Sequence, residues 1–188
     1  MSQAIRGGAL SLEPVATELE RIRQAAVAVI LSEGAVGPEL LIIKRADREG
    51  DPWSGHLAFP GGRAEPEDGH LAITATRETY EEIGLALDPE QHLIGRLETI
   101  LPGNPSLPQI EIFPFVAAVR KVDKLVFSSE VEATYMIPIQ TLVAEGLSDT
   151  VRIRRKDSIY KFPAYPSPGG PIWGITQRII TNLLELLR

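Results

Sequence analysis

Two apolar runs near the start of the chain predict a pair of core strands. Residues 25–31 (AAVAVIL) are apolar and rich in β-branched side chains, and residues 39–44 (ELLIIK) have a similar character. Gly34 and Gly37 lie between the two runs, which is typical of a hairpin or a longer loop that joins two strands. A short helix is predicted ahead of these strands, over residues 10–23, from apolar positions at helical spacing.

The second half of the chain predicts further strands, a hairpin and a closing helix. Strands are expected over residues 93–101, 110–119 and 134–139. Pro114 should confine part of the second of these to a sheet edge or a bulge, because proline cannot donate to the ladder. Pro138 should begin a short helix, and residues 151–162 should form a hairpin around residues 156–157. Apolar side chains at helical spacing over residues 172–187 predict an amphipathic helix that packs on the sheet.

The most regular helical pattern lies between these halves, within residues 61–85, GGRAEPEDGHLAITATRETYEEIGL. A stripe of small and apolar residues suited to close packing recurs at helical spacing, at Ala72, Ala75, Thr79 and Ile83. Gly84 stands where a left-handed C-cap would fall. Asp68 is expected to cap the other end, after a turn made by Pro60 and the two glycines that follow it.

The opposite face of this helix is acidic. Glu78, Glu81 and Glu82 stand at i, i+3 and i+4, so they share one face, and three like charges there repel one another unless a positive group lies among them. Mg²⁺ takes oxygen ligands, usually one or two carboxylates together with substrate phosphates. The turn at Gly61 and Gly62 would let the backbone approach such a ligand. The same pattern also fits a solvated acidic face, which would bind no metal.

Composition limits the classes of function that remain open. At 188 residues the chain is expected to form one domain, residues 1–188, with residues 1–8 as a flexible tail. A net charge of −6 without a basic stripe argues against nucleic-acid binding, but not against a small anion beside a bound metal. The chain has no cysteine, no signal-peptide pattern and no apolar run of membrane-spanning length, so we expect a cytoplasmic protein that makes no contact with a membrane.

The acidic helix carries a family resemblance. Residues 77–85, RETYEEIGL, resemble the second half of the Nudix box, R-E-U-x-E-E-x-G-U with U a bulky aliphatic residue, and the glycine pair at 61–62 resembles its opening. The resemblance implies an α/β/α sandwich with a mixed β-sheet between helices. It also implies a metal-dependent hydrolase that cleaves the diphosphate of a nucleoside diphosphate linked to another moiety. Because the first half of the box is one residue longer than usual, its acid is left open among Glu65, Glu67 and Asp68.

Three further segments resemble one branch of this family, the coenzyme A pyrophosphatase-like proteins. They are LLIIKRA with SGHLAFPGG over residues 40–62, TATRET over residues 74–79, and FPAY followed by IWGIT over residues 162–176. The branch usually has R-x-H-x-G-Q before A-F-P-G-G. Here residues 51–56 are DPWSGH, with His56 at the position of the glutamine. Coenzyme A, or its acyl or oxidised forms, is therefore one of the expected substrates.

The resemblance and the helix geometry together suggest a site. The expected metal, Mg²⁺ or Mn²⁺, would have as ligands Glu78, Glu81 and Glu82. The expected catalytic residues are Glu78, Glu81 and Arg77, of which Arg77 would pair with and orient a neighbouring carboxylate. The expected substrate-binding residues are Arg45, Arg63, Gly61 and Gly62. A base outside the helix is left open among Glu111, Glu130 and Glu132.

Other functions fit the same residues. Within the family, the substrate could be ADP-ribose, a dinucleoside polyphosphate or a non-standard nucleoside triphosphate. A module that kept the fold and lost catalysis would sense a nucleotide without hydrolysing it. Family members are often dimers, so the resemblance implies a homodimer as one possible assembly. In every case the expected partner is a small-molecule nucleoside diphosphate derivative.

Overall fold

The computed structural model describes residues 24–51, 53–102, 110–155 and 158–187. The strands are β1 (Gln24–Gly34), β2 (Gly37–Arg45), β3 (Leu57–Ala58), β4 (Gly61–Arg63), β5 (Leu93–Arg96), β6 (Glu111–Val119), β7 (Val131–Pro138), β8 (Asp149–Arg155), β9 (Ser158–Tyr165) and β10 (Ile172–Trp173). The helices are α1 (Leu71–Ile83), α2 (Pro89–His92), α3 (Ile139–Glu145) and α4 (Gly174–Leu186), and a 3₁₀ turn spans Pro66–Asp68. The predicted helix over residues 10–23 and the predicted tail lie outside the described residues.

The described strands form two sheets. The larger has seven strands, in the order β3-β2-β1-β6-β5, with β4 also paired to β1 and β7 to β2. β1 and β6 are parallel, whereas β1 is antiparallel to β2 and β4, so the sheet is mixed as expected. The smaller sheet has the order β10-β9-β8 and contains the predicted hairpin. No helix in the described ranges is long and apolar enough to cross a membrane.

Helices cover both faces of the larger sheet. Successive side chains of a strand point to opposite faces, and β1 divides its side chains accordingly. Val29 packs in the core that includes α4, with Ile179 and Leu183. Ala26, Ala28 and Ile30 pack in the core that includes α1. This arrangement confirms the predicted α/β/α sandwich.

Helix α1 follows its predicted stripe but begins later than expected. All four stripe residues, Ala72, Ala75, Thr79 and Ile83, are buried. Buried Thr79 donates from its hydroxyl to the carbonyl of Ala75 at 2.7 Å, so it can occupy an aliphatic position without an unpaired polar atom. Gly84 is the predicted left-handed C-cap, with φ of 70°. Asp68 is not the N-cap, because the helix begins after His70 and the Asp68 carboxylate binds elsewhere.

Three other expectations are corrected. β5 ends at Arg96 rather than continuing to residue 101. Pro114 lies in an interior strand: it stands opposite Val27 of β1, and on its other side its carbonyl accepts from the Leu97 backbone at 2.9 Å. Because proline has no N–H, Pro114 lacks one hydrogen bond of the ladder, at a point where β5 has already ended. The closing helix begins at Gly174, because the two residues before it pair with β9 as β10.

Candidate active site

Two glycines of β4 bring the backbone against helix α1. The Gly61 amide donates to Oε2 of Glu82 at 2.9 Å. A Cβ at Gly61, which has φ of +151°, would collide with the backbone of Ala26, and a Cβ at Gly62 would collide with the carboxylate of Glu78. Only glycine therefore allows β4 to lie this close to the two glutamates.

Glu78 and Glu82 are carboxylates in an unfavourable environment for charge. Burial raises the pKa of Glu82 to about 7; the Gly61 amide opposes this shift, and the charge of Glu78 adds to it. Burial also raises the pKa of Glu78, against the opposing charge of Arg77. Because burial and their mutual repulsion oppose the ionisation of both carboxylates, a cation bound between them would be stabilised.

Arg77, the residue before Glu78, is anchored on Asp68. Its Nε donates to Oδ1 of Asp68 at 2.8 Å, and its Nη2 donates to Oδ2 at 3.1 Å. Thr74 and the Glu65 amide also donate to Asp68. Burial alone would raise the pKa of Asp68, but the hydrogen bonds from Arg77, Glu65 and Thr74 outweigh burial and hold that pKa below its ordinary value. Asp68 is thus the first-half acid that faces Arg77, a role that its sequence position did not reveal.

The carboxylates of Glu78, Glu81 and Glu82 do not all converge on one position. Glu81, whose side chain is 54 % exposed, accepts from Nη1 of Arg77 at 3.0 Å. Nη1 also lies 3.1 Å from Oε1 of Glu78. Across the described ranges, no group of three acidic or histidine side chains is close enough together to hold a metal ion. Glu78 and Glu82 alone still fit Mg²⁺, which needs only one or two carboxylates besides water and phosphate.

The two arginines expected to bind substrate have different surroundings. Nη2 of Arg45 donates to Oδ2 of Asp51 at 2.9 Å, and the charge of Arg45 lowers the pKa of Glu82 against the larger effect of burial. Its Nε is buried and has no hydrogen-bond partner among the described residues. Arg63 is exposed at the end of β4, and its carbonyl accepts from Nη2 of Arg77 at 3.1 Å. The charge of Arg45 therefore acts on Glu82, whereas Arg63 is connected through Arg77 to Asp68.

Three acids outside the helix are the candidates for the base, and the charge of one of them, Glu130, adds to the rise in the pKa of Glu82 that burial mainly causes. Glu132 instead binds Nζ of Lys44 at 2.7 Å. Glu111 is exposed at the start of β6. The segment before β7 explains the position of Glu130: the Ser128 amide donates to the carbonyl of Glu82 at 2.9 Å, and the Ser128 hydroxyl accepts from the Glu130 amide at 3.2 Å.

The C-terminal motif around Trp173 packs against the loop that precedes β3. The Trp173 ring lies 4.8 Å from the ring of His56, edge to face, and 5.4 Å from that of Phe162. Thr176 donates to the carbonyl of Leu57 at 3.0 Å. Burial lowers the pKa of His56. These contacts give the motif a structural role, because they hold the loop against the second sheet.

Comparison with known proteins gives the following matches. A family model described as NUDIX domain matches residues 22–160. The human "Mitochondrial coenzyme A diphosphatase NUDT8" is 31 % identical over 178 residues, which cover 92 % of this chain and 73 % of that protein. The Arabidopsis thaliana "Nudix hydrolase 15, mitochondrial" is 30 % identical over 72 % of this chain and 47 % of its own length.

Two solved structures are similar in fold. A "MutT/nudix family protein from Enterococcus faecalis" has a TM-score of 0.62 at 16 % identity, over 88 % of this chain and 62 % of that one. The "NUDIX domain of Shewanella oneidensis NrtR complexed with ADP ribose" has a TM-score of 0.57 at 14 % identity, over 88 % of each chain. At these identities the likeness concerns the fold alone.

Proposed function

The chain belongs to the Nudix hydrolase family, and from that premise we propose that it hydrolyses the diphosphate bond of a nucleoside diphosphate derivative with Mg²⁺ or Mn²⁺. The observation that carries the proposal is the pair Glu78 and Glu82, pressed against the glycines of β4, with the pKa of each raised mainly by burial. A bound cation would offset the cost of ionising these buried carboxylates, and the negatively charged diphosphate would bind to the same cation.

Each part of the site has a role in this chemistry. Glu78 and Glu82 would hold the cation, with Glu81 as a further ligand or as the acceptor for a bound water. When bound, the cation would neutralise charge on the diphosphate and lower the pKa of water. Arg77 orients Glu78 and Glu81 from its anchor on Asp68.

The substrate would lie along β4. Gly61 and Gly62 would lie beside the diphosphate because the missing side chains let their backbone pack directly against Glu78 and Glu82. Arg63, at the end of β4, and Arg45, whose charge acts on Glu82, would contact phosphate oxygens. The oxygen of the attacking water bonds to one phosphorus, the bond from that phosphorus to the bridging oxygen breaks, and the bridging oxygen leaves on the other phosphate.

Glu130 is the proposed acceptor of the water proton. It is an exposed carboxylate that stands close enough to Glu82 for its charge to act there, and its backbone is tied through Ser128 to the end of α1. Glu132 lies farther along, within β7, where it pairs with Lys44. A general base of this kind contributes about a hundredfold or more to a rate.

Coenzyme A, or its acyl or oxidised forms, is the first substrate to test. The human relative and a mouse relative, 29 % identical over 89 % of this chain, are named coenzyme A diphosphatases. The departure at residues 51–56 keeps ADP-ribose, dinucleoside polyphosphates and non-standard nucleoside triphosphates as alternatives. A nucleotide-sensing module without catalysis is disfavoured because Glu78, Glu81 and Glu82 are all retained. A cytoplasmic location and a homodimer remain predictions.

A substrate panel with Mg²⁺, assayed for the released nucleotide, tests the proposal. We expect hydrolysis of at least one diphosphate, and a loss of at least about a hundredfold in Glu82→Gln, because removing one charged group at a catalytic centre costs on the order of 3 kcal/mol or more. Glu90→Gln makes the same change on an exposed carboxylate of α2 and should have no effect.

Two outcomes would remove the proposal. One is Glu82→Gln with near-wild-type turnover in Mg²⁺. The other is a wild-type protein that binds a nucleotide tightly and never hydrolyses it at any metal concentration, which would favour the sensing module.

A further inference from the structure

The loop between β2 and β3 reaches across to Glu130 through one side chain, Arg48. Nη1 of Arg48 donates to Oε1 of Glu130 at 3.1 Å, and Nη2 lies 3.5 Å from the hydroxyl of Ser129. The backbone of Arg48 is itself fixed, because its amide donates to the hydroxyl of Ser54 at 2.7 Å. The Arg48 guanidinium therefore contacts Glu130 from a loop whose backbone is held by a hydrogen bond.

The backbone of Glu130 is already held without this ion pair. Its carbonyl accepts from the Ala46 amide at 2.8 Å, and its amide donates to the hydroxyl of Ser128 at 3.2 Å. Rotation of the side chain is the freedom that remains. Among the described residues, the hydrogen bonds and ion pairs to the Glu130 carboxylate come from Arg48.

Stability does not explain this pair. The side chains of Arg48 and Glu130 are 47 % and 44 % exposed, and exposed ion pairs contribute little to folding because water and salt screen them. A second pair, Lys44 with Glu132, joins the same two parts of the chain at 2.7 Å. Glu130 belongs to the segment that contacts the end of α1, because the Ser128 amide donates to the carbonyl of Glu82 at 2.9 Å and the Ser128 hydroxyl accepts from the Glu130 amide, whereas Glu132 lies within β7.

We propose that Arg48 is a positioning residue: its guanidinium fixes the rotation of the Glu130 side chain at the end of α1, in the orientation in which Glu130 accepts the water proton. The proposal rests on the proposed hydrolase function and on Glu130 as the base. Arg48 acts on the reaction through Glu130 and does not contact the substrate. Its loss therefore lowers the rate of the chemical step and leaves substrate binding unchanged.

A double-mutant cycle tests this role. The variants are Arg48→Ala, Glu130→Gln and the two combined, assayed on the best diphosphate of the panel with saturating Mg²⁺. We expect Glu130→Gln to lower kcat by about a hundredfold and Arg48→Ala to lower it by about tenfold, with KM within about twofold of wild type. The double variant should be no slower than Glu130→Gln alone, since residues that act as a unit are not additive.

Two further variants complete the design. Lys44→Ala breaks the neighbouring ion pair and should leave kcat and KM unchanged. Arg48→Lys keeps the charge but loses the planar fork of the guanidinium, so it should recover part of the lost kcat. A purely structural role for Arg48 would not give this recovery together with an unchanged KM.

Several outcomes would overturn the proposal. A raised KM with unchanged kcat in Arg48→Ala would mean that Arg48 binds the substrate. A double variant whose loss equals the product of the two single losses would mean that Arg48 acts independently of Glu130. Full activity of Glu130→Gln would remove the base and this inference with it, while wild-type hydrolysis would leave the proposed function standing. A wild-type protein that hydrolyses no diphosphate would remove both.

Discussion

Two arginine–carboxylate pairs flank the glutamates of α1, and they differ mainly in burial. Asp68 is 2 % exposed and accepts from Nε and Nη2 of Arg77, with further donors from Thr74 and the backbone. Glu130 is 44 % exposed and accepts at 3.1 Å from one nitrogen of Arg48. Both pairs lie close to α1: Asp68 precedes the start of the helix, and Glu130 belongs to the segment that contacts its end.

The difference separates structure from chemistry. A buried carboxylate whose hydrogen bonds are all made is fixed, because releasing any partner would leave an uncompensated charge away from water. An exposed carboxylate can exchange its partner for water or a proton at little cost. We call Arg77–Asp68 the inner pair and Arg48–Glu130 the outer pair. We infer that the inner pair holds the helix in place and that Glu130, the acid of the outer pair, is the carboxylate that takes part in the reaction.

The largest expected effect is on the inner pair. Asp68→Asn should lower the free energy of unfolding by about 3–5 kcal/mol, because it leaves Arg77 without its main partner in a buried site. Glu130→Gln should lower it by less than about 1 kcal/mol. Urea denaturation of the two variants measures both numbers. Equal losses would show that burial does not distinguish the pairs.

The second effect concerns pH. Because the pKa of Glu82 is raised to about 7 from an ordinary 4.5, the folded protein holds this proton more tightly than the unfolded chain does. The stabilising contribution of the protonated form is complete below about pH 4.5 and is lost as pH rises through about 7, which amounts to about 3 kcal/mol.

The measurement is urea denaturation in metal-free buffer at pH 5 and at pH 8. Glu82→Gln cannot ionise, so it should gain about 2.5 kcal/mol on wild type between the two pH values. Added Mg²⁺ should recover wild-type stability at pH 8 if it binds the folded state. Parallel pH dependences for wild type and Glu82→Gln would contradict the prediction.

The third effect tests the close approach of β4. A Cβ at Gly62 would displace the Glu78 carboxylate, which Arg77 also contacts, so Gly62→Ala should cost about 1–3 kcal/mol of stability and lower activity. Gly34→Ala is the matched control, since its Cβ would meet only the flexible side chain of Glu39 at the β1–β2 hairpin. An equal cost in both variants would mean that Glu78 is as free to move as Glu39.

The smallest effect is on the outer pair. Arg48→Ala should change the free energy of unfolding by less than about 1 kcal/mol, and the change should shrink further in high salt. Thermal or urea unfolding at low and high ionic strength measures it. A loss of several kcal/mol would assign Arg48 to the fold and would weaken the distinction between the two pairs.

Local spacing was enough to predict much of the fold. The stripe of α1, its glycine C-cap and the β1–β2 hairpin all depend on side chains within a few residues of one another, and the structure has each of them. The predictions that failed depend on distant partners. Asp68 is a residue type and lies at a position typical of an N-cap, but its carboxylate instead accepts hydrogen bonds from Arg77. Pro114 has the character of an edge residue, but β1 and the segment after β5 enclose it.

The sequence by itself determined that Glu78 and Glu82 share a helix face opposite an apolar stripe, because a period of 3.6 residues fixes which side chains lie together. It could not select Asp68 among three acids before the helix, nor Glu130 among three beyond it. The tertiary structure pairs Asp68 with Arg77 and ties the segment of Glu130 to the end of α1, which is the reason that we propose Glu130 as the base. Arg48 and Glu130 lie 82 residues apart in the chain, and only the pairing of β2 with β7 and the contact of Ser128 with the end of α1 bring them to the same site.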